Sequence, residues 1–142
     1  MKILQINTTI NSGSTGRIAE DIGNLLIDNS GESYIAFGRG NRSSSSEKIK
    51  IGNKIDTILH GLESSLFDRH GLGSKNATEK LIKEIEILNP DIIHLHNIHG
   101  YYLNIEVLFH CLKKIEKPVV WTFHDCWAFT GHCTYFDAVN CE

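Results

Sequence analysis

The chain has 142 residues and a formal net charge of −3, with 41% hydrophobic and 22% charged residues. This length suits one domain with a single sizeable core, and the balance is that of a globular protein. The absence of a long basic run argues against a dedicated nucleic-acid binder, and no stretch approaches the roughly 20 apolar residues of a transmembrane helix. Because Met1–Thr9 does not resemble a signal peptide, we expect a cytoplasmic protein with reduced cysteines.

Strand-like and helix-like hydrophobic patterns alternate along the chain. This alternation predicts an α/β fold, a Rossmann-like three-layer sandwich with a mostly parallel sheet. The polar segment 39–47, which includes the serine run Ser43–Ser46, is typical of a mobile loop. In chain order, the pattern predicts a strand at 2–7, an amphipathic helix at 17–29, strands at 33–38 and 49–51, amphipathic helices at 55–66 and 77–88, a strand at 91–96, a helix at 103–115 and a strand at 119–123.

The first loop that can take part in chemistry lies between the first strand and the first helix. It contains Gly13, Ser14, Thr15, Gly16 and Arg17. Glycines let backbone amides approach an anion, and a helix N-terminus adds a partial positive charge. The loop is neither a Gly-x-Gly-x-x-Gly motif nor a P-loop, because no Lys-Ser/Thr follows the second glycine. A plain tight turn is the open alternative.

Histidines, an asparagine and a tyrosine cluster around the end of the strand predicted at 91–96. Strand alternation puts His94 and His96 on one face, and Asn97, His99 and Tyr101 follow at the edge of the sheet where ligands bind. These side chains favour a hydroxyl-rich ligand, with His94 in a structural role.

A second polar group follows the strand predicted at 119–123. His124 can donate, accept or take a proton near neutral pH, and Asp125 can orient it or accept a hydroxyl. Trp127 and Phe129 would form a stacking wall for a sugar ring. The alternatives are that the His-Asp pair caps a turn and that the aromatic rings cover the end of the sheet.

The C-terminal cysteines indicate a metal site only weakly. No Cys-x-x-Cys pair occurs, so free thiols are favoured over zinc, and no metal is predicted. The residues concerned are Cys126, Cys133, Cys141, His124 and His132.

Several segments together resemble bacterial glycosyltransferases of the GT-B fold, more closely those of family 4 from polysaccharide biosynthesis. The resemblance implies that residues 1–142 form the N-terminal, acceptor-side domain, with the C-terminal nucleotide-sugar-binding domain absent. The loop over 136–142, which ends without a further helix or strand, agrees with a longer parent. The segments are KILQIN, GSTGRIAEDIG, YIAFGRG, PDIIHLHNIHGYYLNIEVL and PVVWTFHDCWAFTGHCTYFDAVNCE.

The resemblance also implies roles for individual residues. The loop from Gly13 to Arg17 would lie over the interdomain cleft near the donor diphosphate, and His124 would lie close to the transferred sugar. His96 and Asn97 would line the acceptor side. Such enzymes retain the anomeric configuration and generally need no bound metal or other cofactor.

The expected activity is transfer of a sugar from a nucleotide-diphosphate donor to a saccharide or lipid-linked acceptor by the full-length parent. The fragment alone would be inactive. Peripheral membrane association of the parent stays open, and no nucleic-acid partner is expected. The alternatives are a stand-alone Rossmann-like module that binds a nucleotide or phosphate and, less favoured, a His/Cys metal-binding domain.

Overall fold

A computed structural model describes residues 1–130 and 133–135. His132, Cys141 and the loop predicted over 136–142 lie outside the described residues. In the part described, the elements in chain order are β1 (Lys2–Thr9), α1 (Gly13–Asp28), β2 (Glu32–Arg39), β3 (Glu47–Lys50), α2 (Lys54–Phe67), α3 (Lys75–Leu88), β4 (Ile92–Leu95), α4 (Ile105–Lys114), β5 (Val119–Trp121) and α5 (Trp127–Thr130).

The strands form one parallel sheet in the order β3-β2-β1-β4-β5. The register aligns Ile6 with Leu95 and Leu95 with Trp121, so the carboxyl ends of β1, β4 and β5 lie side by side. The strand order reverses between β1 and β4, which is where open α/β sheets place their ligands. The predicted Rossmann-like α/β arrangement is confirmed.

Hydrophobic clusters lie on both faces of the sheet. Leu4, Ile6, Ile93 and Leu95 belong to the larger cluster, together with buried residues of α3 and α4. Ile35 and Phe37 pack with Ala19 of α1 in a smaller cluster. Strand alternation therefore puts Gln5, His94 and His96 on the face opposite Leu95, as the sequence predicted for the two histidines.

The helix α1 begins earlier than predicted. Ser12 is extended and occupies the N-cap position, and Gly13–Arg17 therefore belongs to the helix, not to a preceding loop. At Gly16, an added Cβ would lie 2.9 Å from Thr9 Oγ1. Glycine at this position lets the first turn of α1 pack directly against the end of β1.

The serine run differs from the predicted mobile loop because it is held by hydrogen bonds. The buried carboxylate of Glu20 accepts from Ser44 Oγ and, at 2.7 Å, from the backbone amide of Ser45. Ser46 Oγ lies 2.7 Å from Ser33 Oγ. These contacts fasten the segment between α1 and β2.

The helix α2 is confirmed, but its apolar side chains face outward. Its buried residues are His60 and Ser64. The apolar periodicity thus predicted the helix correctly but did not predict which side of it is buried. The apolar side chains, between 53% and 72% exposed, are Ile55, Ile58, Leu59, Leu62, Leu66 and Phe67. None of the described helices combines the length and apolar character needed to span a bilayer.

Candidate functional site

The candidate site lies where β1, β4 and β5 end together. Asn7 is in the last part of β1, His96 and Asn97 follow β4, and His124 and Asp125 follow β5. The predicted residues after β4 and β5, which are 28 positions apart in the chain, therefore meet at one edge of the sheet.

A hydrogen-bonded row of side chains, which we call the imidazole chain, crosses this edge from inside to outside. Gln5 Nε2 donates to the backbone oxygen of Ala19 at 2.7 Å, and Gln5 Oε1 lies 2.9 Å from His96 Nε2. His96 Nδ1 lies 3.0 Å from His124 Nε2. His96 is 1% exposed and Gln5 is fully buried, whereas His124 is half-buried. The imidazole chain consists of Gln5, His96 and His124.

The inner imidazoles are held neutral by burial. Burial, together with smaller contributions from the nearby His94 and His124, lowers the pKa of His96 to about 3. Burial also lowers the pKa of His94, whose Nε2 lies 2.8 Å from Thr122 Oγ1. At neutral pH, this part of the site therefore offers uncharged donors and acceptors.

Asp125 pairs with His99, although His124 is its neighbour in the chain. Asp125 Oδ2 lies 2.8 Å from His99 Nε2, and Asp125 Oδ1 accepts from the backbone amide of Trp127 at 3.0 Å. The second bond stabilises the start of the short helix α5, which the sequence analysis did not predict. The contact that orients His124 comes from His96, and a catalytic role of Asp125 stays a prediction.

The backbone of Asn97 is fixed by neighbouring strands. Its amide donates to Asn7 Oδ1 at 3.3 Å, and its carbonyl accepts from Thr8 Oγ1 at 3.0 Å and from Tyr102 Oη at 2.7 Å. Asn7 Nδ2 in turn lies 3.4 Å from Thr15 Oγ1. Asn7 therefore connects the segment after β4 with the first turn of α1.

The first turn of α1 faces solvent beside this edge. Gly13, Ser14 and Arg17 are exposed, and the Ser12 side chain forms no capping hydrogen bond. Unpaired amides at a helix N-terminus attract anions. The predicted role of Gly13–Arg17 near a diphosphate is compatible with this geometry and stays a prediction.

Tyr101 lies in a row of rings beside the imidazole chain. Its ring contacts His60 and His70 edge-on, with centroids 5.5 and 5.2 Å away. His70 accepts a hydrogen bond from Trp127 Nε1 at 2.8 Å, and Trp127 lies 5.4 Å from His99. The structure thus connects Tyr101 with His99 through His70 and Trp127.

Four residues of this region were not predicted from the sequence, namely Gln5, Asn7, His60 and His70. Gln5 and Asn7 alternate with Leu4 and Ile6 in an apolar strand, and both are fully buried. A buried polar side chain needs a hydrogen-bond partner. Polar residues within an apolar strand were therefore the signal that could have pointed to Gln5 and Asn7. His60 and His70 gave no comparable signal, because both polar and apolar residues adjoin them along the chain.

A groove larger than the cleft at the strand ends lies elsewhere in the described part of the chain. It has a volume of about 770 Å³ and is formed by α2, α3 and α4. The strand-end cleft is small and is lined by residues that include His96, His99, His124, Asp125 and Trp127. We locate the candidate site at the cleft because the polar side chains that follow β4 and β5 converge there. The groove lies between helices and away from the carboxyl ends of the strands.

Among the described residues, neither Cys126 nor Cys133 forms a disulfide bond. Within residues 1–130 and 133–135, no group of three or more His, Cys, Asp or Glu side chains is arranged to hold a metal ion.

Comparison with known proteins links the chain to glycosyltransferases. It is 28% identical over 154 aligned positions to WcaC of Escherichia coli (strain K12), which is assigned as a colanic acid biosynthesis glycosyl transferase. The alignment covers 100% of this chain and 37% of WcaC, so the chain spans well under half the length of this relative. No protein-family profile matches the chain, and no solved structure matches it.

Proposed function

We propose that the chain is the acceptor-side, N-terminal Rossmann-like domain of a retaining glycosyltransferase of the GT-B type, similar to family 4. The observation that supports this most directly is the meeting of His96 and His124 at the strand-order reversal, 3.0 Å apart, in a chain that aligns along its full length with a glycosyltransferase. Polar imidazoles at that position suit a hydroxyl-bearing ligand.

Glycosyl transfer needs a stabilised leaving group. In our proposal, the donor is a nucleotide-diphosphate sugar, and the first turn of α1, Gly13–Arg17, faces its diphosphate. Backbone amides at a helix N-terminus stabilise negative charge without reorganising during the reaction. The exposure of Gly13 and Ser14 supports this, because the ligand can reach those amides from solvent.

The transferred sugar would then lie against His124. We assign His124 to a hydroxyl of the donor sugar, and Asn97, His99 and Tyr101 to the acceptor side. His96 lies behind His124, because its two ring nitrogens face Gln5 and His124. A hydroxyl can either donate to or accept from an imidazole nitrogen, whereas a fully ionised phosphate oxygen can only accept, which favours a saccharide at this point. Asp125 would fix His99 through their 2.8 Å contact, which orients the acceptor side of the cleft.

The proposal assigns most nucleotide contacts to a second domain of a longer protein. Holding two substrates in a cleft between two domains lowers the entropic cost of their encounter, by as much as several kcal/mol. The acceptor in this proposal is a saccharide or a lipid-linked saccharide. Residues 1–142 alone would therefore be inactive and would bind nucleotides weakly.

The test uses the full-length parent, incubated with a panel of nucleotide sugars and saccharide acceptors, with release of nucleoside diphosphate as the readout. We expect turnover by the wild type and a loss on the order of a hundredfold in H124A, with a much smaller change in unfolding free energy. The matched control is H110A, because His110 is exposed on α4, away from the strand ends. Normal turnover by H124A would contradict the role of His124.

A stand-alone phosphate-binding module is the second candidate, and the uncapped, exposed start of α1 favours it. Isothermal titration of residues 1–142 with UDP, GDP and inorganic pyrophosphate separates the two. Micromolar binding by this chain alone would support the module, whereas weak or absent binding agrees with a site completed by another domain.

A further inference from the structure

We propose that Gln5 and His96 are positioning residues that hold neutral His124 in its Nε2–H tautomer. His124 then presents the Nδ1 lone pair to the cleft and accepts a hydrogen bond from a ligand hydroxyl. The identity of that hydroxyl as part of a sugar rests on the proposed function, whereas the tautomer follows from this chain's own contacts.

A backbone carbonyl oxygen can only accept a hydrogen bond. Ala19 O lies 2.7 Å from one end of the Gln5 amide, so that end must be the NH₂ group. The other end is therefore the oxygen, and it faces His96 Nε2 at 2.9 Å. The buried backbone of α1 thus determines which way the Gln5 side chain points.

Gln5 Oε1 needs a donor, so His96 carries its proton on Nε2. A neutral imidazole has one N–H only, which leaves His96 Nδ1 as an acceptor. His96 is 1% exposed, and the low pKa that follows from its burial keeps it neutral. The carbonyl of His96 also accepts from Trp121 Nε1 at 3.1 Å, which holds the residue in place.

His96 Nδ1 lies 3.0 Å from His124 Nε2 and accepts, so His124 must donate from Nε2. In neutral His124, Nδ1 then carries a lone pair, and within the described part of the chain it has no hydrogen-bond partner. His124 is half-buried and lines the strand-end cleft. A hydroxyl can donate to this nitrogen, but a fully ionised phosphate oxygen cannot, so the arrangement selects for hydroxyl-bearing ligands.

The test is a long-range ¹H–¹⁵N correlation spectrum of the chain labelled with ¹⁵N-histidine, recorded at pH 8, where an ordinary imidazole is neutral. Such spectra distinguish protonated from unprotonated ring nitrogens. We expect protonated Nε2 and unprotonated Nδ1 in both His96 and His124. A neutral His124 that carries its proton on Nδ1 would overturn the proposal, whatever the protein's activity.

Two variants separate positioning from general packing. Q5M removes both hydrogen-bonding groups of Gln5 at similar volume, and we expect mixed tautomers at His96 and His124. T122V removes the hydroxyl beside His94, outside the imidazole chain, and should leave His124 unchanged. Wild-type tautomers in Q5M, or a change at His124 in T122V as large as in Q5M, would each contradict the positioning role.

The full-length parent supplies a second readout. Once its donor is known, Q5M should lower kcat on the order of tenfold or more, while T122V stays near wild type. A parent that transfers no sugar refutes the proposed function but leaves the tautomer result intact. An active parent in which Q5M has wild-type kcat refutes the positioning role alone.

Discussion

The imidazole chain predicts that this protein loses stability as the pH falls. The pKa of His96 drops from an ordinary 6.5 to about 3 on folding because the side chain is buried beside two further histidines. Between these two values, the unfolded chain binds a proton at His96 and the folded chain does not. The free energy of unfolding therefore has its full value above pH 6.5 and decreases as the pH falls from 6.5 towards about 3.

The size of this effect follows from the same two values. At pH 5, the unfolded histidine is about 1.5 pH units below its own pKa, and the folded one is still neutral. At about 1.36 kcal/mol per unit, His96 alone removes about 2 kcal/mol between pH 8 and pH 5. This is a large share of the roughly 5–15 kcal/mol that stabilises a typical domain.

The perturbation is H96N, which replaces the titrating ring with an amide that binds no proton. Urea unfolding at pH 8 and at pH 5 gives the unfolding free energy of each variant at both pH values. We expect the decrease from pH 8 to pH 5 to be about 2 kcal/mol smaller in H96N than in the wild type. For each variant, the unfolding free energy at pH 5 is subtracted from its value at pH 8. A destabilisation by the substitution that is the same at both pH values therefore cancels.

His94 and His124 face His96, and H96N leaves both of these side chains in place. The control is H110N, which removes one exposed histidine and leaves the imidazole chain intact. An equal decrease in wild type and H96N would refute the buried, neutral state of His96. It would also remove the support that this state gives to the tautomer argument.

Three further predictions concern the framework around the site. E20Q weakens the acceptor that holds Ser45, so we expect a loss of about 1–2 kcal/mol in urea unfolding and faster amide exchange at Ser45. G16A puts a methyl group 2.9 Å from Thr9 Oγ1, so we expect a loss of about 1–3 kcal/mol by the same measurement. L62S should change the free energy of unfolding by less than about 0.5 kcal/mol, because Leu62 is 53% exposed.

Each of these predictions has a matched comparison. E47Q, at an exposed glutamate of β3, controls for loss of a carboxylate, and unchanged exchange at Ser45 in E20Q would contradict the anchored serine run. G13A is unsuitable as a partner for G16A because Gly13 has a φ of +68°, so G61A within α2 is the control. A loss of 2 kcal/mol or more in L62S would mean that the apolar side of α2 is covered, contrary to the structure.

The sequence by itself determined the elements and their class. Apolar periodicity predicted the four longer helices α1 to α4, and the alternation of strands with helices predicted a parallel sheet; both depend on neighbours a few positions away. The period of two along β4 correctly put His94 and His96 on one face. Element ends were less accurate: α1 begins at Gly13, where Ser12 provides the N-cap, and β5 ends at Trp121.

Only the tertiary structure decided which side chains meet. Gln5 bonds His96 across 91 positions, which depends on β1 pairing with β4 in a particular register. Asp125 reaches His99 instead of its neighbour His124, because strand order and the start of α5 set its direction. Local patterns report the period of an element, but pairing between distant strands decides contacts. The predicted His-Asp pair therefore became two separate pairs, His124 with His96 and Asp125 with His99.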